Sequence, residues 1–368
     1  MAFQFSRWGN DLYTGKRSYK VVPRYRVWFI AAVCVAIACG ILLFAPGLRL
    51  GIEFAGGNEY RVSGIEGSVS QQVAIDQVQR IVGGTEVPKV TNLGADGVRV
   101  QTSALSLEVA EELHQALAEA YGVPPESVSV QEVGATWGAG VFSKAVRGSI
   151  LFLALVAVAM MLYFRNWAMS VSAIVALLHD LVVTVGIYAA VGFEVTPATL
   201  IGFLTVLGYS MYDTVVVFDK VRENTANVLD QSQFTYGEAA NLAVNQTMVR
   251  SINTSVVAIL PVASILFVGA FMLGAGTLQD ISLALFVGMA IGTYSSIFLA
   301  TPLEVWLRHR EPKISAHTKK VLDLRATRIA AGDGDDTAAE ALTTIGALRA
   351  GGHQGQIAQP RRKPRSER

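Results

Sequence analysis

Six long apolar runs limit what this chain can fold into. A helix needs about 20 mostly apolar residues in a row to cross the hydrocarbon core of a bilayer. The composition agrees with that use, because only 16% of the residues are charged, whereas soluble domains carry about 25%. We therefore predict a polytopic α-helical membrane protein with six transmembrane helices, at 27–46, 148–164, 168–191, 198–219, 251–273 and 281–303.

The first apolar run stands apart from the other five, which follow one another closely. This spacing predicts one helix, then a separate domain, then a bundle of five helices. The end of the chain is rich in Ala, Gly and charged residues, a composition that cannot bury a core. The predicted divisions are an N-terminal segment (1–26), transmembrane helix 1 (27–46), a domain (47–142), transmembrane helices 2–6 (143–307) and a largely disordered tail (308–368).

Lys and Arg residues near the apolar runs predict the orientation, since cytoplasmic flanks carry an excess of these residues. The segment 1–26 contains six Lys or Arg residues and one acidic residue. The loops 192–197 and 274–280 contain neither Lys nor Arg. We therefore expect both termini to be cytoplasmic and the domain 47–142 to be extracytoplasmic.

The predicted extracytoplasmic domain alternates strand-like and helix-like patterns. Residues 51–62 and 127–133 are typical of strands, and Ser106 is the residue type that caps the start of a helix at 107–121. The order of patterns is β-α-β-β-α-β, which is the arrangement of ferredoxin-like α+β domains. The domain has no pairing of a nucleophile with a base, so we expect it to bind or to move rather than to catalyse.

Several classes of function lack support in the sequence. It contains no P-loop, metal-ligand cluster or catalytic triad, and its net charge of +1 does not suggest nucleic acid. Cys34 and Cys39 lie five residues apart in one apolar run, so they face different sides of a helix and no disulfide is expected between them. We expect no enzymatic activity, no ATP chemistry, no cofactor, no metal and no nucleic-acid partner.

Asp213 is a carboxylate inside the fourth apolar run, in the segment LGYSMYDTVVVFDKVREN (207–224). An ionisable group at such a depth costs about 2.5–3.5 kcal/mol on insertion scales and is a functional candidate by default. Tyr209 and Ser210 lie one helical turn away on the same side. The alternative role for Asp213 is a structural hydrogen bond to a neighbouring helix.

Arg250 opens the fifth run, where Thr247, Ser251 and Thr254 follow the same helical face. Its guanidinium keeps its charge at any relevant pH. If the two groups are close, it favours the ionised form of Asp213, whereas desolvation opposes ionisation. These opposed effects suit a carboxylate that switches its protonation state. The alternative for Arg250 is snorkelling to the cytoplasmic interface.

Two further features lie in the third and sixth runs. His179 and Asp180 are adjacent in the third run, so they diverge by about 100° on a helix and cannot both face one neighbour; a relay and helix packing are equally open roles. Gly288 and Gly292 have the small-xxx-small spacing of close helix contacts. We expect the faces that carry Asp213 and these glycines to pack against a partner protein.

Several segments resemble the signature segments of the SecF family of protein-export membrane subunits. They are LGYSMYDTVVVFDKVREN, NQTMVRSINTS and GTLQDISLALFVGMAIGTYSSIF, and ALLHD in the third run also fits. GIEFAGG (51–57) is similar to the family's Gly-Ile-Asp-Phe-Thr-Gly-Gly motif, with Glu53 in place of Asp and Ala55 in place of Thr. The resemblance covers residues 24–310, and these two departures leave the role of that motif open.

The resemblance implies a function and partners. The six helices would form one half of an RND-type unit in the cell's cytoplasmic membrane, with SecD supplying the other half. The pair would use the proton motive force to assist late-stage preprotein translocation through the SecYEG channel, with YajC as a further candidate partner and with contacts to preprotein and membrane lipid. The positions that match the family's proton relay are Asp213 and Arg250; other relay or packing candidates are His179, Asp180, Tyr209, Ser210 and Thr254.

Two other functions remain as alternatives to a proton-driven subunit. One is an RND-type exporter half for lipid or small molecules, but such chains usually hold both halves and larger outer domains. The other is a passive scaffold that stabilises the channel, which would tolerate loss of the Asp213 charge. The response to that single charge therefore separates the proton-driven subunit from the scaffold.

Overall fold

The computed structural model describes residues 5–45, 47–67, 69–83, 88–94, 96–272 and 276–330. Six helices in these ranges are long and apolar enough to cross a membrane, which confirms the predicted six-helix membrane protein. The helices are α1 (Phe5–Tyr13), α2 (Tyr25–Phe44), α3 (Ile52–Ala55), α4 (Gln71–Ile81), α5 (Leu107–Tyr121), α6 (Ala135–Phe164), α7 (Trp167–Val191), α8 (Pro197–Thr225), α9 (Tyr236–Ser264), α10 (Gly276–Ser295), α11 (Thr301–Arg308) and α12 (Pro312–Ala330). The strands are β1 (Arg49–Leu50), β2 (Gly57–Val62), β3 (Lys89–Leu93), β4 (Gly97–Thr102), β5 (Val128–Val133) and β6 (Glu194–Val195).

The membrane-spanning helices differ in how much of their surface the chain itself covers. Within an 18-residue apolar stretch of each span, 44%, 44% and 50% of the residues are buried in the spans that contain α7, α8 and α10, whereas 11% are buried in those that contain α2, α6 and α9. Apolar side chains on the latter three, such as Ile30 and Leu151, are more than half exposed. In a bilayer, lipid or another protein covers such surfaces.

A sharp connection joins α6 to α7. Arg165 ends α6 in the left-handed conformation, with φ of 50°. Asn166 then caps α7, since its side chain accepts hydrogen bonds from the backbone N–H groups of Ala168 and Met169. The two helices are therefore antiparallel neighbours. At its other end α6 begins at Ala135, well before the apolar run that predicted it.

Helices α8 and α10 cross where two glycines of α10, spaced four residues apart, meet Val206 and Ser210 of α8. A Cβ atom added to Gly292 would lie 2.8 Å from Ser210 Cβ, and one added to Gly288 would lie 2.5 Å from Val206 Cγ1. Such contacts require glycine, because real Cβ atoms do not approach so closely. The prediction that this glycine face packs against a partner protein is therefore wrong: it packs against α8 of the same chain, and the sequence could not say which helix would meet it.

The domain between α2 and α6 has the predicted ferredoxin-like fold. Its four-stranded sheet is antiparallel, with the order β3-β4-β2-β5, and α4 and α5 pack on one face of it. The core is formed by buried side chains of the sheet and of both helices, including Tyr60, Val78, Val98, Val100 and Leu113. One detail of the prediction was wrong, because the strand predicted at 51–62 is split: Ile52–Ala55 is a short helix, and the strand begins at Gly57.

Gly56 and Gly57 make that split geometrically feasible. Their φ angles are 81° and 148°, a region that favours glycine. A Cβ atom on Gly56 would lie 2.6 Å from Ala135 Cα, and one on Gly57 would lie 2.4 Å from the Thr102 carbonyl oxygen. The pair therefore lets the backbone turn from α3 into β2 while it packs directly against the start of α6.

The loop between α7 and α8 docks against this domain. Strands β1 and β6 pair in parallel, and the backbone N–H of Gly51 donates to the Val195 carbonyl at 3.0 Å. Lys89 of β3 forms an ion pair with Glu194 at 2.6 Å, and the Gln101 side-chain amide donates to Glu194 at 3.4 Å. Glu194 therefore ties the domain to the loop that follows α7.

Glu53 stands beside this docking surface in an unfavourable environment. Its Oε2 atom is buried and has no hydrogen-bond partner among the described residues. Burial raises the pKa of the Glu53 carboxyl above its usual value, and the charges of Glu59 and Glu194 raise it further, while Arg99 opposes them. The Glu53 carboxyl therefore binds a proton more tightly in the folded protein than in the unfolded chain.

The Glu53 environment predicts a pH-dependent gain in stability for Glu53→Gln. Because the folded-state pKa is raised, the contribution of Glu53 is favourable below its unfolded pKa of roughly 4.3 and is lost as the pH rises through the folded value. We expect the variant to be more stable than the wild type near neutral pH, and equally stable at roughly pH 4 or below. Thermal unfolding in detergent at both pH values measures this.

The matched control for this prediction is Glu126→Gln, which changes an exposed glutamate of the same domain. Surface substitutions of this kind usually change stability by less than about 0.5 kcal/mol. A Glu53→Gln protein that is less stable than the wild type near neutral pH would show that the carboxylate is stabilised in the folded state, contrary to the pKa direction given above.

The described residues of Met1–Tyr25, Val216–Arg250 and Thr301–Arg368 form a second compact unit. Here Asn241 accepts hydrogen bonds from the backbone N–H groups of Val21 and Val22, both at 3.0 Å. Asn245 exchanges two hydrogen bonds with the backbone of Tyr19, at 2.7 and 3.0 Å. Both asparagines are fully buried, so they fix the segment between α1 and α2 against the first turns of α9.

The same unit contains α12, which falls in the segment predicted as a largely disordered tail (308–368). Residues Pro312–Ala330 are helical. Arg325 of α12 forms two hydrogen bonds with the Glu238 carboxylate, at 2.6 and 2.7 Å. The first part of the predicted tail is therefore ordered, because this ion pair and the buried Val321 hold it in place. Residues 331–368 lie outside the described part of the chain.

Candidate functional site

Asp213 lies on α8 among hydroxyl groups of two other helices. Its side chain is buried, with 4% of the residue exposed. Oδ1 accepts a hydrogen bond from Ser251 of α9 at 2.7 Å, and Oδ2 accepts one from Ser296 at 2.5 Å, directly after α10. Both serines are fully buried. The carboxylate therefore links three membrane-spanning helices through hydrogen bonds.

Asp180 of α7 has an equivalent environment and is fully buried. Its Oδ2 atom accepts hydrogen bonds from Ser210 of α8 at 2.6 Å and from Ser295 of α10 at 2.7 Å. Its Oδ1 atom lies 3.4 Å from Nδ1 of the adjacent His179. Each aspartate thus accepts hydrogen bonds from serine hydroxyls on two other membrane-spanning helices. We call the set the carboxylate–serine cluster: Asp180, Asp213, Ser210, Ser251, Ser295 and Ser296.

The two serines of the sixth span are adjacent in sequence and serve different aspartates. Ser295 ends the α-helical part of the span, and Ser296 begins a π-helical segment that runs to Ala300. Single π-helical turns inside α-helices are frequent at functional sites. Each hydroxyl also has a second acceptor, the Gly292 carbonyl at 3.2 Å for Ser295 and the Thr293 carbonyl at 3.1 Å for Ser296.

These second acceptors determine whether the carboxylates of the cluster can be hydrogen-bonded in both protonation states. An ionised carboxylate can only accept hydrogen bonds, whereas a protonated one must donate one. Ser296 can accept from a protonated Asp213 if its own hydroxyl turns to the Thr293 carbonyl, and Ser295 can do the same for Asp180 with the Gly292 carbonyl. Each carboxylate can therefore exist in both protonation states without leaving a buried polar group unpaired.

A further polar layer lies one helical turn from Asp213. The Tyr209 hydroxyl donates to Ser255 at 3.3 Å, and the Thr293 hydroxyl contacts Ser255 at 2.6 Å. Tyr209, Ser255 and Thr293 come from the same three spans as Asp213, Ser251 and Ser296. Hydroxyl groups therefore extend along the α8–α9–α10 contact over two turns.

The structure brings together most of the candidate residues that the sequence predicted. Asp213, Asp180, Ser210 and Tyr209 all hydrogen-bond within these layers, and His179 contacts Asp180. Ser210 was expected on the Asp213 side, but it binds Asp180 instead.

Two further candidates lie on α9. Thr254 is half-buried, and its neighbour Ser255 is the residue that meets Tyr209. Arg250 is exposed and directly precedes Ser251 on α9.

Sequence reasoning missed the hydroxyls of the sixth span and one on the fifth: Ser255, Thr293, Ser295 and Ser296. The available signal was their number, since GTYSS places three hydroxyl-bearing side chains, plus a tyrosine, within an apolar run. Serine and threonine are ordinary in transmembrane helices, where they hydrogen-bond their own backbone. Only their position opposite two carboxylates makes them part of a site.

Two family profiles match this chain. The family described as protein export membrane protein SecD/SecF, C-terminal, matches residues 113–310, and the SecD/SecF GG motif matches residues 41–63. The first match covers all five spans that carry the cluster or pack around it. The second contains Gly56 and Gly57, the residues that shape the turn into β2.

Curated relatives agree over nearly the whole chain. Protein translocase subunit SecF of Streptomyces coelicolor is 42% identical over 332 residues, which cover 90% of this chain and 88% of that protein. This chain belongs to the SecF family of protein translocase subunits. The SecF subunit of Mycobacterium tuberculosis is 43% identical over 335 residues, 88% of this chain and 75% of that protein.

A solved structure shares the fold of this SecF-family chain. It is the crystal structure of SecDF, a translocon-associated membrane protein from Thermus thermophilus, with a TM-score of 0.70 and 28% identity. The match covers 80% of this chain but only 39% of the SecDF chain. The SecF-family chain thus spans about two fifths of that protein.

Proposed function

We propose that this SecF-family chain acts with SecD to couple proton movement across the membrane to late-stage preprotein translocation through SecYEG. The observation that carries the proposal is Asp213, a buried carboxylate in a membrane-spanning helix that can be satisfied in both protonation states. Such a group is costly to bury without a role. The proposal needs no catalytic chemistry in the chain, which would work as a translocase subunit rather than as an enzyme.

The SecD partnership is supported by the length of the matched SecDF chain, most of which this chain does not cover. We propose that a SecD protein supplies the remainder. It would pack on spans whose apolar surfaces this chain leaves exposed, those that contain α2, α6 and α9. The predicted contacts with SecYEG, YajC, preprotein and lipid are further proposals.

The proposed cycle alternates the hydrogen bonds of Asp213. In the ionised state, Asp213 accepts from Ser251 and Ser296 and holds α9 and the sixth span to α8. In the protonated state, it donates to one of these serines, which must then turn away. One proton that crosses 100 mV releases about 2.3 kcal/mol, which exceeds the net strength of one such hydrogen bond, about 1 kcal/mol. The energy is sufficient to rearrange these contacts.

Arg250 is the second residue of the proposed proton relay. It directly precedes Ser251 on α9, and its exposed guanidinium keeps its charge at any working pH. We propose that it supplies a fixed positive charge on the helix whose serine binds Asp213. A lysine at this position would keep the charge but lose the planar fork of the guanidinium.

The proposed orientation places both termini in the cytoplasm and the ferredoxin-like domain outside. We expect a thiol reagent that cannot cross membranes to label Ser129→Cys from the outer side and to leave Ser315→Cys unlabelled, in a background that lacks Cys34 and Cys39. Both serines are exposed, on β5 and α12. Labelling of the Ser315→Cys protein from outside would reverse the orientation and the direction of proton movement with it.

The proposed function is tested by reconstitution of SecYEG with and without this chain and SecD. We expect an imposed proton gradient to increase preprotein release into the outer compartment only when both proteins are present. Omission of SecD is the control for a chain that acts alone. Equal gradient-dependent release without this chain would refute the proposal. Stimulation by the chain that does not depend on the gradient would indicate a passive scaffold instead.

A further inference from the structure

We propose that Asp180 is a second proton-binding carboxylate of this chain, which gains and loses a proton in the same cycle as Asp213. This inference rests on the proposed function and extends it to a residue on a different helix. Three features of Asp180 support it: the lack of a strong counter-charge, a histidine neighbour whose Nε2 atom has no partner among the described residues, and a link to Asp213 through adjacent serines.

The first feature is the lack of a strong counter-charge. Asp180 is fully buried, and in the described part of the chain the only basic group within ion-pairing distance of its carboxylate is His179, at 3.4 Å. Its other partners, Ser210 and Ser295, are neutral hydroxyls. An ionised carboxylate that is buried without a charged partner is costly, and binding a proton removes that cost.

Few other ionisable groups lie on the elements packed against α7. On α10 they are Asp280, near the opposite end of the helix from Ser295, and Tyr294, whose ring packs on Trp28 and Phe298. On α8 the ionisable group is Asp213, one turn beyond Ser210. On α2 it is Cys39, whose sulfur lies 3.9 Å from the Val183 carbonyl. The side chains that α6 buries, among them Val156 and Met160, are apolar. Asp213 is therefore the one other carboxylate that the described helices place along this network.

The second feature is His179. Its side chain is only 9% exposed, and its Nε2 atom is buried without a hydrogen-bond partner among the described residues. A buried imidazole nitrogen without a partner is open to a proton or to a water molecule. The opposite nitrogen, Nδ1, already lies beside Asp180. His179 is therefore placed to pass a proton to or from the Asp180 carboxylate.

The third feature is the coupling between the two aspartates. Ser295 and Ser296 are consecutive, and each serves one of the two carboxylates. Ser210, which also binds Asp180, lies on α8 only three residues before Asp213. If protonated Asp180 donates to Ser295, or protonated Asp213 donates to Ser296, that serine turns towards a backbone carbonyl, and the neighbouring serine shares that backbone. The hydrogen bonds of one carboxylate are therefore linked to those of the other through adjacent serines of the sixth span.

The experiment is an infrared difference titration of the full chain, reconstituted in lipid together with SecD. The C=O stretching band of a protonated carboxylic acid reports each aspartate directly and shifts in D₂O. Every carboxyl group contributes to the spectrum as the pH is lowered, so the wild-type spectrum minus that of each variant isolates one residue. We expect Asp213→Asn to remove one band and Asp180→Asn to remove a different one. Asp76→Asn, which changes an exposed aspartate of the ferredoxin-like domain, is the control and should leave both bands.

The possible outcomes separate this inference from the proposed function. If the Asp213 band is present and Asp180→Asn leaves the spectrum unchanged, Asp180 does not bind a proton, and only this inference fails. If neither aspartate gives a band, both proposals fail. If Asp180→Asn does not fold, Ser295→Ala tests the inference instead: it keeps the carboxylate and should shift the frequency of the Asp180 C=O band, because the carboxyl group loses a hydrogen-bond partner. A spectrum unchanged by Ser295→Ala would overturn the inference.

Discussion

Asp213→Asn is expected to fold and assemble normally and to lose the gradient-dependent stimulation of preprotein export. The amide can replace the carboxylate with little change: its oxygen accepts from Ser251, and its NH₂ group donates to Ser296, whose hydroxyl turns to the Thr293 carbonyl at 3.1 Å. Only the ability to bind a proton is removed. Since one proton per 100 mV supplies about 2.3 kcal/mol, the loss corresponds to a factor of up to about 50 in rate.

The control for that prediction is Asp219→Asn, the same chemical change six residues further along α8. It should keep the stimulation, because Asp219 lies beside Lys220 at the boundary of the apolar run and is not part of the carboxylate–serine cluster. Preprotein release in vesicles with and without an imposed gradient measures both variants. If Asp213→Asn retains normal stimulation, Asp213 is a structural hydrogen-bonding residue and the scaffold alternative is favoured.

Gly288→Ala is expected to destabilise the membrane bundle, and Val206→Ala is expected to restore it. The added methyl group would lie 2.5 and 2.9 Å from the two γ-carbons of Val206, a stiff β-branched side chain that cannot turn away. Overpacking of this kind costs about 1–3 kcal/mol. The double variant removes both γ-carbons and leaves Val206 Cβ at 3.1 Å, a contact that a small shift relieves. Unfolding in detergent or lipid measures the three proteins.

Gly208→Ala is the matched control on α8, because nothing lies within 4 Å of the position of its Cβ atom. That substitution should be neutral or stabilising, by up to about 1 kcal/mol from helix propensity. Equal stability of Gly288→Ala and Gly208→Ala would mean that α8 and α10 do not cross at Gly288. The carboxylate–serine cluster depends on that crossing, since Ser210 and Gly292 meet one turn further along it.

The sequence predicted the membrane helices and the ferredoxin-like domain because their signals are local. Apolar runs and alternating patterns are set by each segment's own burial. The partners of each helix are not local properties. The glycines at 288 and 292 signalled a close contact, but whether a partner protein or α8 would fill it depends on how six helices assemble. The split of the predicted strand at Gly56 was missed because GIEFA alternates as a strand does.

The candidate site could be predicted only in part. Asp213 and Asp180 are conspicuous in the sequence, because charges are rare in apolar runs. Ser295 and Ser296 are not conspicuous. Each is recognised as a site residue only by its hydrogen bond to an aspartate on another helix, 115 and 83 residues away in sequence. Serine hydroxyls that donate to a buried carboxylate can be identified only from the contacts in the folded structure.

Proton flux into vesicles tests the central claim most directly. The full chain and SecD are reconstituted in vesicles with a pH-sensitive dye inside, and a fixed gradient is applied to the wild type and to Asp213→Asn. We expect the wild type to carry protons above the leak of protein-free vesicles and the variant to show no more than that leak. Equal flux through both proteins would contradict the account, because protons would then cross without the carboxylate at position 213.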